Sequence, residues 1–380
     1  MLALLPTKGD AILAAMNRLI SRIRQPVKRE DAEQYLLISL ISFAASVTLT
    51  RLLLGLAGYP QLGGGELHVA HMLWGGLLLF IAAILPLALA NRWALNVAAV
   101  LSGVGVGLFI DEVGKFITSN NDYFYPAAAP IIYAFFLLTV LVYLRVRRPP
   151  AQDARSELYR VFENLQEVLD RDLDRQERAD LEARLRHIAE QNHYPDLARL
   201  AGELSRFIGS DNLHVIPYQP SVWEQLIVRW QALQSRWLTR RRLELILVVG
   251  LGALSVQALF DPVVVWLTVL LPADWARWLP RLVELGRVTS GGGLIGFRLQ
   301  LALEGAVGSL LLTACVLLIL RRERHGLTFG YFGLLLALTT VNLLVFFFEQ
   351  FSTIALAILQ FGLLMGIIHF RRRYLSPLRN

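Results

Sequence analysis

Eight apolar runs, each close to the ~20 residues a helix needs to cross a bilayer's hydrocarbon, leave this chain few ways to fold. They cover Tyr35 to Leu56, Leu67 to Ala90, Ala94 to Phe116, Ala127 to Leu144, Leu243 to Phe260, Leu299 to Leu320, Leu327 to Phe348 and Ile354 to Phe370. Hydrocarbon offers no partner to backbone N–H and C=O groups, so each run must satisfy its own and becomes a helix. With 55% apolar and 18% charged residues over 380 positions, the composition is that of an integral membrane chain rather than a soluble one. The expected class is all-α: a polytopic membrane protein of eight transmembrane helices in two four-helix halves, with a helical bundle inserted between them. The expected division is an amphipathic interfacial helix over 1–33, spans one to four over 34–147, the insert over 148–241 and spans five to eight over 242–374.

The net charge of +7 belongs to topology and not to a nucleic-acid surface, because the cations sit beside the ends of the runs. Arg18, Arg22, Arg24, Lys28 and Arg29 precede the first run, Arg145, Arg147 and Arg148 follow the fourth, and Arg371 to Arg373 close the last. Lys and Arg are absent from the alternate loops Ala57 to Glu66 and Ser119 to Tyr125. By the positive-inside rule both termini and the insert are cytoplasmic, and the protein is a multi-pass protein of the cell membrane. The loop from Asp261 to Arg298 carries four Arg against this trend, and its Asp261-Pro262 step is expected to break the fifth helix. Residues 1–24 do not form a cleavable signal, since their apolar positions are helically spaced and the basic residues come last. The single cysteine, Cys315, lies in a run and excludes an intrachain disulfide or a Cys-based zinc site.

The two halves match in order. SVTLTRLLL resembles GALSVQALF, pairing Arg51 with Gln257, and GLFIDEVGKF resembles LVFFFEQFST, pairing Glu112 with Glu349. Copies that begin and end on one side would be parallel repeats. The insert holds three amphipathic stretches, Leu158 to Leu169, Leu181 to Ile188 and Leu197 to Ile208. From Asp153 to Asp211 it has fourteen acids against nine Arg, and that net −5 should keep it off anionic lipid. The stretch after it, with Trp223, Leu226, Trp230, Leu233 and Trp237 in heptad-like spacing, reads as an interfacial helix or as a seam for a partner helix. No phosphate-binding glycine loop occurs in the insert, which argues against an ATP-driven pump.

Function is expected where ionisable residues enter the runs, because a charge in hydrocarbon costs about 2.5–3.5 kcal/mol on insertion scales. Along the chain, Arg51 ends an ascent, His68 and His71 begin a descent, and Asp111, Glu112 and Lys115 end the next ascent. All fall in the outer half of the bilayer. Gln257, Glu304 and Glu349 occupy the matching layer of the second half, and Asp122 lies in the adjoining loop SNNDYFYP, an aromatic anchor or a lid. An interior Arg51–Glu112 pair is expected, with snorkelling as the alternative for Lys115. His68 and His71, three apart on one helical face, could hold a divalent metal with Glu112 completing the shell, or be hydrogen-bonded at the interface.

Two functional classes follow from this layer. The first is an outward-facing site that binds or translocates an ion or small polar solute. The second is a membrane-embedded enzyme, metal-dependent or not, that acts on a lipid or lipid-linked substrate from the outer leaflet through a histidine and a carboxylate. A scaffold that recruits a protein partner or a second copy through 153–240 is the third alternative. The bilayer is the one partner common to all three, and none involves nucleic acid.

Overall fold

In the computed structural model of the protein, the described residues are 27–58, 70–147, 153–190, 194–210, 213–217, 225, 229, 239–270, 291–349 and 354–375, without the side chains of 268–270, 291–297, 348 and 349. Among them the regular structure is helical. It comprises α1 (Ala32–Leu56), α2 (His71–Ala88), α3 (Arg92–Asp111), the short α4 (Val113–Ile117), α5 (Ala128–Val146), α6 (Ala154–Asp170), α7 (Arg175–Glu190), α8 (Pro195–Ile208), α9 (Arg240–Leu270) and α10 (Gly291–Ile319). α11 (Glu323–Leu336) passes through a π-helical turn, Ala337–Val341, into α12 (Asn342–Glu349), and α13 (Ile354–Phe370) closes the order with a π-helical end. Eight helical stretches are long and apolar enough to cross a membrane. Their outward side chains agree with such a setting: Leu87 is 85% exposed and Val256 69%, exposures that water would penalise and lipid does not. The described residues are of all-helical build, and their eight long apolar helices are compatible with an integral membrane protein.

Several helices run past their expected bounds, among them α10, which begins at Gly291 and not at Leu299. α9 continues through Asp261-Pro262 to Leu270 instead of ending there. A proline removes one backbone bond, and a membrane helix tolerates that loss where neighbouring helices or side chains compensate. α11 carries one extra residue as its π-turn. The Tyr133 hydroxyl donates to the Leu338 carbonyl at 2.6 Å, and Asn342 Nδ2 donates to Gln360 Oε1 at 2.9 Å beside it.

The described residues form two compact units, whose boundaries pass through the long helices. The first takes in residues up to Ser42, Phe80–Gly103 and Val140–Ser221. Its three amphipathic helices bury Leu158, Val161, Leu181, Leu185, Ile188, Ala201 and Ile208 against one another. Local signals set their ends. Arg171 takes the left-handed conformation that stops α6 (φ 59°), and Pro195 starts α8. Asp174 and Glu177 form a reciprocal capping box on α7, with Asp174 Oδ1 accepting from Glu177 N at 2.8 Å and Glu177 Oε2 from Asp174 N at 2.9 Å. Acids of the bundle and of the start of α1 are engaged by cations of the same unit: Arg92 pairs with Asp31 and Glu167, Arg29 with Glu163 (3.0 Å), and Arg184 with Glu30 (2.6 Å).

The second unit comprises Phe43–Leu79, Val104–Thr139 and the chain from Val222 onward. Its largest core gathers Leu247, Leu251, Leu311, Leu318, Leu327, Leu334, Ile367 and Phe370 from four helices. A smaller one, Phe43, Val47 and Ile132, joins α1 to α5 and is flanked by Val106 and Ile110 of α3. The Trp-rich stretch expected after the insert and the N-terminal amphipathic segment lie largely outside the described residues.

Candidate ionisable site

Small residues bring α1, α2 and α3 close enough for short polar side chains to meet. A Cβ on Gly107 would stand 2.7 Å from Ser46 Cβ, and one on Gly75 would stand 2.7 Å from the Phe109 nitrogen and 2.8 Å from the Gly105 carbonyl. Contacts that close are possible only for glycine. Ser46 adds a bond to the Val104 carbonyl at 3.2 Å. The ionisable groups follow within about one and a half turns of these crossings. Asp111 is four residues beyond Gly107 on the same helical face, Arg51 is five beyond Ser46, and His71 is four before Gly75.

Asp111 is the hub. Its Oδ1 accepts from Arg51 Nε at 2.5 Å, its Oδ2 from the Tyr123 hydroxyl at 2.7 Å, and Oδ2 also lies 3.1 Å from His71 Nε2. Its own carbonyl takes a second bond from Arg51 Nη2 at 3.0 Å. Asp111 is fully buried and Arg51 is 7% exposed, so the pair is enclosed by protein rather than snorkelling. This corrects the expected Arg51–Glu112 pair, and the reason is rotational. Successive helical residues point about 100° apart, and the Gly107 crossing turns the Asp111 face toward α1.

Glu112 sits where α3 gives way to α4, at φ −90° and ψ 10°, in the sparsely populated bridge region. The bend directs its carboxylate to other partners: Oε1 accepts from Lys115 Nζ at 3.1 Å and stands 3.0 Å from His71 Nδ1. Lys115 is therefore a member of the network. Oε2 of Glu112 is buried with no hydrogen-bond partner.

His71 links the two carboxylates, one at each ring nitrogen. Only the doubly protonated ring donates at both positions, and in that form it is a cation between two anions. A metal on His71 would have to displace one of these contacts, and His68, its expected companion, lies outside the described residues. Among the described residues no three His, Cys, Asp or Glu side chains group as metal ligands.

Tyr123 is a member that sequence alone does not single out. Its ring lies under the Arg51 guanidinium at 4.2 Å and edge-on to His71 at 6.2 Å, while its hydroxyl serves Asp111. The loop that carries it folds back over α4. Gly114 permits this, since a Cβ there would meet the Asp122 carbonyl at 2.6 Å. Thr118 Oγ1 accepts from Asp122 N at 2.8 Å, and Asp122 Oδ1 accepts from Phe124 N at 2.9 Å. Asp122 thus shapes the loop.

In the second half the predicted residues do not gather in the same way. Gln257 is exposed, Glu304 is half-buried and accepts from Gln300 Nε2 at 2.7 Å, and the side chain of Glu349 is not among those described. The buried amides there are Gln300, Asn342 and Gln360, none of them singled out by sequence. Their signal was present all the same, as amides inside apolar runs. No protein-family model, curated protein or solved structure matches this chain.

Proposed function

We propose that this protein binds or translocates an ion or small polar solute through the network of Arg51, His71, Asp111, Glu112, Lys115 and Tyr123. It would do so in the cell membrane, with both termini and the three-helix bundle cytoplasmic and the network facing outward, an orientation that the distribution of Lys and Arg around most of the spans supports. One observation carries the reading: Glu112 Oε2 is buried without a donor while Asp111 has a partner on each of its oxygens. A buried carboxylate oxygen lacking a partner is costly, and a ligand that donates a hydrogen bond or carries positive charge removes that cost. Lys115 and His71 already hold the other oxygen, so an arriving ligand would exchange contacts within a set of paired charges instead of opening an apolar core. The sequence match that sets Glu349 at the position of Glu112 is the basis for reading the two halves as copies, as in transporters built from repeats.

The enzyme reading is weaker on the same geometry, because both nitrogens of His71 face carboxylates and neither is open to a substrate. A scaffold role for the bundle would leave the buried network without a purpose.

Proteoliposomes provide the test. Flux is followed with a pH-sensitive dye and with labelled sodium, chloride and choline, for wild type and Glu112→Gln. Wild type should move at least one probe, and the variant should lose that flux by roughly tenfold, the effect of one lost charge-assisted contact. Equal flux in both, or no wild-type flux together with no probe-dependent thermal stabilisation, overturns the proposal.

A further inference from the structure

We infer that the groove between the segment entering α1 and the end of α5 binds a phospholipid with an anionic head group. The inference rests on residues separate from the Asp111 network and stands or falls without it.

The groove has a volume of about 460 Å³, inside the range of roughly 300–1,000 Å³ that holds small ligands. Val27, Ala32, Tyr35 and Leu36 line it on one side and Val146 on the other, so the surface it offers is almost wholly hydrocarbon. An acyl chain suits that surface and a small polar solute does not. The two remaining lining residues, Lys28 and Arg29, are cations just ahead of α1. Arg147, next to Val146, adds a third: its Nε stands 3.0 Å from Glu33, the neighbour of Ala32, so this cation is tied to the groove's other wall.

Charge decides which head group is taken. Arg29 holds Glu163 through Nε at 3.0 Å, yet its side chain stays 50% exposed, and that of Arg147 stays 48% exposed. A guanidinium carries five N–H donors in a fork that matches phosphate oxygens, so one ion pair does not exhaust either group. The acids close by do not oppose an anion, because each has a cation of its own. Glu30 pairs with Arg184 at 2.6 Å, Asp31 with Arg92, and Glu33 with Arg147. Basic pockets beside membrane helices are where lipid phosphates are recognised, and the ammonium of a zwitterionic head group gains nothing from cations. The groove therefore selects a lipid of net negative charge.

Native mass spectrometry of the purified protein in detergent, titrated with phosphatidylglycerol or phosphatidylcholine of the same acyl chains, tests the inference, and hydrogen exchange over 27–36 locates the lipid. Each Lys or Arg near an anionic head group is worth a factor of about five, so wild type should retain one phosphatidylglycerol roughly tenfold or more tightly than phosphatidylcholine. Exchange over 27–36 should slow when it is bound. Lys28→Gln should lower the preference about fivefold, the share of one cation. Ala32→Trp fills the groove, leaves every cation in place and should abolish retention. Glu112→Gln should retain the lipid as wild type does. Equal retention of the two lipids, the same protection from glycerol phosphate alone, or unchanged retention in both Lys28→Gln and Ala32→Trp overturns the site. Retention without slower exchange over 27–36, the result if another segment of the chain covers the groove, overturns it too. Should Ala32→Trp fail to fold, Lys28→Gln decides alone.

Discussion

Asp111→Ala removes the hub of the network, and its cost can be worked from the bonds that the carboxylate makes. Arg51 keeps the bond to the backbone carbonyl of residue 111 and gives up the one at 2.5 Å, leaving a guanidinium buried at 7% exposure without the carboxylate beside it. Breaking one side of a buried pair costs about 3–5 kcal/mol. The Tyr123 hydroxyl and His71 Nε2 lose an acceptor as well, each about 1 kcal/mol, and water entering at the helix ends returns part of the sum. The net expectation is a loss of about 3–5 kcal/mol. The double variant Arg51→Met with Asp111→Ala leaves no lone charge in the pair and should cost less than the two single changes together, with a coupling of about 2 kcal/mol or more. Reversible unfolding in mixed micelles, followed by circular dichroism, gives all four corners of the cycle. A cost below about 0.5 kcal/mol for Asp111→Ala, or strict additivity, would refute the view that these groups form one buried unit.

Gly75→Val should push α2 off α3, because its Cβ would meet backbone atoms at 2.7 and 2.8 Å that cannot turn aside. A loss of about 1–3 kcal/mol in the same unfolding assay is expected, with none for Gly76→Val, where a Cβ meets nothing. Arg92→Gln removes the cation shared by Asp31 and Glu167 and should weaken the hold on α6 by about 1 kcal/mol, read as faster hydrogen exchange over 154–170. Wild type in about 1 M salt should show the same acceleration, since the screening length falls to ~3 Å. Tyr133→Phe deletes the bond to the Leu338 carbonyl and should cost about 0.5–1.5 kcal/mol, with exchange rising over the π-turn; unchanged exchange there would deny Tyr133 its role.

The apolar runs announced all eight spans, and the last, Ile354 to Phe370, agrees with α13 at both ends. Hydropathy finds a span because burial in lipid depends on each residue's own transfer free energy. It cannot find what depends on neighbours. The Asp261-Pro262 step reads as a helix end in isolation, yet α9 passes through it with α10 packed alongside. The π-turn in α11 likewise takes a bond at its Leu338 carbonyl from Tyr133, 205 residues away in sequence.

The site was legible as a set but not as a circuit. Chain direction alone placed Arg51, His71, Asp111, Glu112 and Lys115 at one level, because alternate spans run in opposite directions. Which carboxylate faces Arg51 is a matter of helical rotation, and that is set by the glycine crossings. Gly107 and Asp111 stand four apart, so the small residue that marks a close helix contact also marks the face of its acid. Tyr123 was hidden for a different reason. It sits in a loop of aromatics that suits the headgroup level equally well, and only the fold of that loop over Gly114 brings its hydroxyl to Asp111.

An experimental density map of the protein in lipid, resolved well enough to place side chains around Glu112, would test the central claim most directly. The account predicts Arg51, His71 and Tyr123 converged on Asp111, with non-protein density within about 2.6–3.2 Å of Glu112 Oε2. Those side chains turned outward into lipid, or Glu112 Oε2 bonded to a protein donor with nothing beside it, would contradict it.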